Sequence, residues 1–240
     1  MKKAALIVAG GTGTRMGSER PKQFLLLGGR PILMHTLDRY LALDPKLPLQ
    51  LVLPANEVKF WFEDSPKWFQ ANELARIEVC EGGASRTESV HKGLEALQTR
   101  LFQPESYFVA IHDGVRPFIH TDRLLEAYQI ASQRGASVAC VPVKSSMRMM
   151  SVDGGSQAVD RSLYYHVQTP QTFAFSRILK AYRERPEGAF TDDASLYQAM
   201  GGDVVICEGS YDNLKITTPE DLLIAEQILA RWQAATAESE

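Results

Sequence analysis

A chain of 240 residues that is 45% hydrophobic and 23% charged suits a water-soluble globular protein built around one large domain. Its net charge of −3, with no basic tail or stripe, argues against nucleic acid as a partner, so any bound phosphate is expected to belong to a small molecule. Cys80, Cys140 and Cys207 each sit in a short apolar run without metal-ligand spacing, which reads as buried thiols of a cytoplasmic protein rather than a disulfide or zinc framework.

The chain opens with MKKAALIVAGG, whose apolar run is too short for a signal sequence or a membrane span and reads as a first buried strand. Further strands are predicted at LQLVLP (49–54), RIEVC (76–80), YFVAIH (107–112), SVACVPV (137–143) and DVVICEG (203–209). These runs are continuously apolar, not alternating, as strands covered on both faces should be. Helices are predicted between them. RPILMHTLDRYLAL carries Leu33, Leu37, Tyr40 and Leu41 on one stripe, with Pro31 near its start. SRTESVHKGLEALQTRL opens with Ser85 and Glu88 in capping-box spacing, and TPEDLLIAEQILARW opens with Thr218 as a cap and Pro219 at the first helical position. Strand–helix alternation implies an α/β chain, residues 1–240 forming one Rossmann-like domain with a mostly parallel sheet and helices on both faces. Ligands of such sheets bind beyond the carboxyl ends of the strands.

One segment breaks the alternation. Residues 141–171, VPVKSSMRMMSVDGGSQAVDRSLYYHVQTPQ, hold two polar-rich extended runs around the turn signal Asp153-Gly154-Gly155. The prediction is a protruding β-hairpin arm with too few apolar residues to join the main core. A lone hairpin is marginal in water, so it is expected to pack on the domain or on a second copy of the chain.

The stretch VAGGTGTRMGSERPKQF, residues 8–24, admits three readings. A P-loop needs a Gly-Lys-Ser/Thr end that is absent here. A dinucleotide fingerprint fits Gly11 and Gly13, but Met16 stands where its third glycine belongs, and Gly17 and Pro21 interrupt the long helix it requires. The third reading uses the whole stretch. A strand ends at Ala9, and Gly10, Gly11 and Gly13 let backbone N–H groups wrap an anion. Arg15 and Lys22 then add a fork and a point charge, which suits a triphosphate attacked at its α-phosphorus. The bland alternative is a tight turn with two surface cations.

The same residues resemble the opening of the small nucleotidyltransferases that activate phosphorylated alcohols, above all the 2-C-methyl-D-erythritol 4-phosphate cytidylyltransferases of the non-mevalonate isoprenoid pathway. The likeness continues through EGGASRTESV (81–90), HDGVRPF (112–118), VDR (159–161), QTPQTF (168–173), TDDASL (191–196) and DNLKITTPEDL (212–222). Ribitol-5-phosphate cytidylyltransferases share most of these blocks, so the acceptor is less narrowly implied than the reaction. The resemblance implies transfer of CMP from CTP to the polyol phosphate, with Mg²⁺ as cofactor. It places Ala9, Gly10, Gly11, Gly13, Gly82, Gly83, Ser89 and Gly114 at the nucleotide, and Arg15, Lys22, Arg161 and Lys215 as the catalytic cations. Asp113, Arg116, Ser146 and Thr169 fall to the acceptor, with Asp113 also a metal ligand. It further implies a homodimer in which the arm reaches the neighbour's site. Ala84 departs from the pattern, since the family often carries an acidic residue there.

Plain structural readings stand beside these. His112 reads as a satisfied core histidine, because an acceptor phosphate that is already ionised needs no base. Lys215, between Leu214 and Ile216, fits a snorkelling surface lysine as well as a site cation. Asp192 and Asp193 look like a metal pair but equally fit a helix cap. A dinucleotide-dependent oxidoreductase and a non-catalytic nucleotide-binding module are the readings from other classes. Met16 and Pro21 argue against the first, and retention of all four cations argues against the second.

Overall fold

The predicted apolar runs assemble into a single central sheet. The structure is a computed structural model that describes residues 1–10, 21–186 and 190–237. In chain order its elements begin with β1 (Lys2–Val8), the short strands β2 (Leu26–Leu27) and β3 (Arg30–Pro31), and α1 (Ile32–Leu43). Then come β4 (Leu49–Leu53), α2 (Ala55–Asp64), α3 (Ala71–Leu74), β5 (Ile77–Glu81), α4 (Arg86–Gln98) and β6 (Tyr107–Asp113). The rest are α5 (Thr121–Arg134), β7 (Ala136–Pro142), β8 (Met147–Met150), β9 (Ser156–Val159), β10 (Tyr165–Ala174), α6 (Phe175–Glu184), α7 (Asp193–Ala199), β11 (Val205–Glu208) and α8 (Pro219–Ala237).

Seven strands form the main sheet in the order β11-β7-β10-β6-β1-β4-β5. β10 runs antiparallel to both its neighbours, and the other pairs are parallel. Both faces are covered. Leu6 and Val8 of β1 pack with Val90, Leu94 and Leu97 of α4 and with residues of α6 and α7. Ala5 and Ile7 point the other way, against Leu33, Leu37 and Tyr40 of α1, Trp61 of α2, and Leu124 and Tyr128 of α5. Successive residues of a strand thus meet different helical layers, which is why the sequence shows no alternation there. α8 closes a third cluster through Ala225, Ile228 and Leu229 against Leu27, Ile32 and Phe118. Among the described residues, no helix is long and apolar enough to cross a membrane.

The helix starts follow the predicted chemistry. Ser85 Oγ accepts from the Glu88 N–H at 3.1 Å, while the Glu88 carboxylate turns to the Ala84 N–H at 2.9 Å. Thr218 Oγ1 accepts from the Asp221 N–H, and Asp221 in turn accepts from the N–H groups of Thr217 and Thr218.

The arm is shorter than predicted. Within residues 141–171, β8 and β9 alone make a separate two-stranded ribbon. Tyr165–Gln171, assigned to the arm from their polarity, belong to β10: Tyr165–Val167 run along β7 with exposed side chains, and Gln168–Gln171 are buried in the main sheet. The polar side chains tolerate burial because each has partners. Gln168 donates to Ser210 O at 2.8 Å and accepts from Asn213 Nδ2 at 3.2 Å. Gln171 donates to Asp192 Oδ2 and accepts from the Ala194 N–H, both at 2.8 Å. Thr169 Oγ1 accepts from the Asp113 N–H at 3.1 Å, where the register of β10 slips between Val167 and Gln171. That irregularity aims Thr169 at the end of β6.

Candidate active site

The parallel register sets where the strands end together. Val8 pairs with Asp113 on one side and with Val52 on the other, so β1, β6 and β4 finish at one edge of the sheet. A cleft of about 320 Å³ opens there, lined by Val8, Ala9, Gly10, Lys22, Gln23, Ala84, Ser85, Arg86, Asp113, Val115 and Lys215. A second hollow of about 250 Å³ adjoins it, lined by Arg116, Gln168, Thr169, Gln171 and Asp192 among others. Arg86, Asp113 and Lys215 border both. Gly11, Gly13 and Arg15 of the expected triphosphate loop lie outside the described residues.

Beside Gly10, the backbone closes tightly on the Ser89 side chain. A Cβ on Gly82 would stand 2.7 Å from Ser89 Oγ, and one on Gly10 would stand 3.3 Å from the same atom. Ser89 is buried, and its Oγ accepts from the Gly83 N–H at 3.0 Å. It therefore fastens the strand-to-helix loop beside Gly10. Gly114 donates its N–H to Val8 O at 2.9 Å, and its Cβ position is closed by Ala9.

The charged centre is Asp113, buried at the end of β6. Its Oδ1 lies 3.5 Å from Arg86 Nε, and its Oδ2 lies 2.9 Å from Lys215 Nζ and 3.4 Å from Arg116 Nε. Burial pushes the carboxyl pKa up, but Arg86, Lys215 and Arg116 together outweigh it and hold Asp113 well below the usual range. Lys215 is thus a cleft residue and not a snorkelling surface lysine. Arg116 is turned inward, with Nη1 donating to Asn213 O at 2.8 Å. Among the described residues no three His, Cys, Asp or Glu side chains converge as a metal site. The carboxylate that lines this cleft is already shared by three cations. This donor set does not suit a metal held by the protein.

His112 behaves as a core residue. It is wholly buried beside Tyr40, ring centroids 5.4 Å apart, and its Nε2 faces Arg116 O at 3.0 Å, which assigns the proton to Nε2. Burial lowers its pKa to about 4, so it stays neutral at physiological pH. Asp192 is the predicted cap, accepting from the Ser195 N–H at 2.9 Å. Arg161 and Ser146 line neither hollow; both are exposed, and Arg161 Nη1 donates to Lys144 O within the arm.

Three residues that sequence reading did not single out, Arg86, Gln23 and Glu57, complete the site with Asp193. Arg86, the first residue of α4, binds Asp193 with both Nη atoms, at 2.9 and 2.8 Å. Asp193 is wholly buried and pairs with Arg86 instead of taking part in a metal pair. Gln23 donates to Ala9 O at 2.8 Å and to Glu57, fixing the turn that carries Lys22 against the end of β1. Burial pushes the Glu57 carboxyl from 4.5 up to about 7, its bond from Gln23 only partly opposing this. A carboxyl whose folded pKa is raised adds stability below about pH 4.5 and loses it as pH rises through about 7. Glu57→Gln removes that titration. The wild type should therefore lose stability relative to the variant across this window, by on the order of 1–3 kcal/mol. Thermal melts of both proteins from pH 4 to 8 check it, and a constant difference in Tm would refute it.

Comparison with known proteins agrees with this geometry. Residues 3–231 match the family model described as 2-C-methyl-D-erythritol 4-phosphate cytidylyltransferase. The chain belongs to this cytidylyltransferase family. The enzyme of that name from Bacteroides thetaiotaomicron is 41% identical over 230 residues, spanning 95% of this chain and 100% of the relative. The Porphyromonas gingivalis enzyme is 42% identical over 231 residues, spanning 95% and 98%. Among solved structures, the 4-diphosphocytidyl-2C-methyl-D-erythritol synthase of Anaerococcus prevotii superposes with a TM-score of 0.80 at 27% identity, covering 95% of this chain and 98% of that one. The Thermus thermophilus cytidylyltransferase gives 0.74 at 31% identity, covering 96% and 100%. The fold class and reaction class read from the sequence agree with these relatives.

Proposed function

We propose that the chain transfers CMP from CTP to 2-C-methyl-D-erythritol 4-phosphate, giving the CDP-polyol and pyrophosphate. The observation that carries this reading is the placement of Asp113 and its cations between two adjoining hollows at the strand ends. One hollow, beside Gly10, Lys22 and the 82–89 loop, takes the nucleotide. The other, beside Thr169 and Arg116, takes the acceptor. An acceptor phosphate oxygen attacks the α-phosphorus, a new P–O bond forms, and the bond to the bridging oxygen breaks in line. The electron pair leaves with pyrophosphate. The attacking oxygen is already ionised, so no general base is required and the protein supplies position and charge. Lys22 and Arg15 stabilise the α-phosphate and the leaving group. Lys215, with Arg161 from the arm, holds the incoming phosphate, and Asp113 keeps Lys215 in place. Mg²⁺ would arrive with the triphosphate and would offset part of its charge, Asp113 remaining with its three cations.

The working unit in this reading is a cytoplasmic homodimer. Met149, Met150, Leu163, Tyr164 and Tyr165 around the ribbon are exposed, and a second copy would cover them. Pyrophosphate release from CTP is the deciding assay, with methylerythritol phosphate and ribitol 5-phosphate compared as acceptors. Methylerythritol phosphate is expected to be preferred, CTP to outperform ATP and GTP, and excess chelator to abolish turnover. Preference for ribitol phosphate would transfer the assignment to that acceptor, and equal use of a purine triphosphate would refute the cytosine site.

A further inference from the structure

The guanidinium fork of Arg86 is turned away from the cleft that its residue lines. Both Nη atoms are taken by Asp193, at 2.9 and 2.8 Å, and only Nε faces Asp113 Oδ1, at 3.5 Å. Asp193 is wholly buried at the start of α7 and also accepts from Tyr182 Oη at 2.5 Å. Three donors from α4 and α6 therefore hold one carboxylate. An arginine fork prefers two parallel bonds to a carboxylate. With its fork unoccupied, Arg86 would close on Asp113, the next carboxylate within reach. Asp113 Oδ2 would then be drawn from Lys215 Nζ, now 2.9 Å away.

We propose that Asp193 is a positioning residue for the transfer. By occupying the fork of Arg86, it leaves Asp113 shared with Lys215 and so keeps Lys215 directed at the acceptor phosphate. This inference rests on the reading of Lys215 and Asp113 as the acceptor end of the site. Asp193 touches no substrate in this scheme. It acts through Arg86.

The test is steady-state kinetics of Asp193→Asn, a change of nearly equal size that removes the charge anchoring the fork. Small displacements of a positioned group cost up to about a hundredfold in rate. We expect kcat/KM for the polyol phosphate to fall by about tenfold to a hundredfold, with KM for CTP changed by less than about twofold. A merely structural residue would lower Tm and the amount of active enzyme while leaving both KM values alone. Normal kinetics, or equal damage to both substrates, overturns the proposal. Should Asp193→Asn fold poorly, Asp193→Ser replaces it, a smaller side chain that likewise leaves no carboxylate in the fork of Arg86. The same fall of about tenfold or more in kcat/KM for the polyol phosphate is expected in the folded enzyme, and a value within about threefold of wild type overturns the proposal. Wild-type enzyme that releases no pyrophosphate with the polyol phosphate would instead refute the reading of the site. Active wild type beside an unaffected Asp193→Asn refutes only the role of Asp193.

Discussion

Lys22→Ala is expected to lower kcat by about a hundredfold to a thousandfold while raising KM for CTP far less. One preorganised donor aimed at developing charge is worth about 3–4 kcal/mol in the transition state. A residue that binds ground and transition states equally would move KM alone. Lys22 fits the first case because its backbone is fixed independently of substrate. It starts the 3-10 turn Lys22–Phe24, whose Gln23 bonds to Ala9 O and whose Phe24 is buried against Phe60, ring centroids 4.8 Å apart. The side chain lines the cleft together with Gly10 and Asp113. Neither anchor depends on the ammonium group, so the alanine variant should keep its fold. Initial rates across a range of CTP concentrations separate the two parameters. Near-normal kcat with a raised KM would reassign Lys22 to ground-state binding of the triphosphate. Arg15→Ala carries the same expectation from its place in the glycine-rich stretch.

What the sequence revealed followed from what burial does to a pattern. Strands covered on both faces leave uninterrupted apolar runs, so six of the seven strands of the main sheet were visible as such. β10 was not, because Gln168, Thr169 and Gln171 look like surface residues until their partners on β6, α7 and the 210–213 loop are known. Those partners are distant in sequence, and no local period encodes them. The α5 stripe of Leu124, Ala127, Tyr128 and Ala131 was a readable helical period that went unused. The same division runs through the site. Asp113 was found because it sits at the end of an apolar run, where ligands of parallel sheets bind, and Lys215 was brought to the site by the family resemblance. Arg86 was missed because an arginine one residue after a helix cap is ordinarily solvated. Its value comes from Asp193, 107 residues away. Asp193 was read together with its neighbour Asp192, which caps α7 as the local motif suggests, and its pairing with Arg86 went unread. Two adjacent aspartates thus do different work, one set by local sequence and one by tertiary packing.

Arg161→Ala is expected to be nearly inactive as a homodimer and to be rescued by mixing with Lys22→Ala chains. Arg161 lies in an exposed turn beyond β9, lines neither hollow of its own chain, and is tied to Lys144 O of the same arm. The expectation is that the arm carries this cation to a phosphate held by another subunit. The exposed apolar side chains around the ribbon give the arm a reason to pack there. In a symmetric dimer each arm then serves the site whose Lys22 comes from the other chain. A mixed dimer of the two variants has one site with both defects and one with neither. If random exchange makes about half of the dimers mixed, about a quarter of all sites regain full activity. If Arg161 serves its own chain instead, every site keeps one defect and mixing restores nothing. Subunit exchange is verified separately, by mixing differently labelled chains and following mixed dimers by native mass spectrometry. Mixed dimers without recovered pyrophosphate release would rule out the shared site and return Arg161 to its own subunit. Recovery near a quarter would place the arm of one chain over the nucleotide cleft of the other.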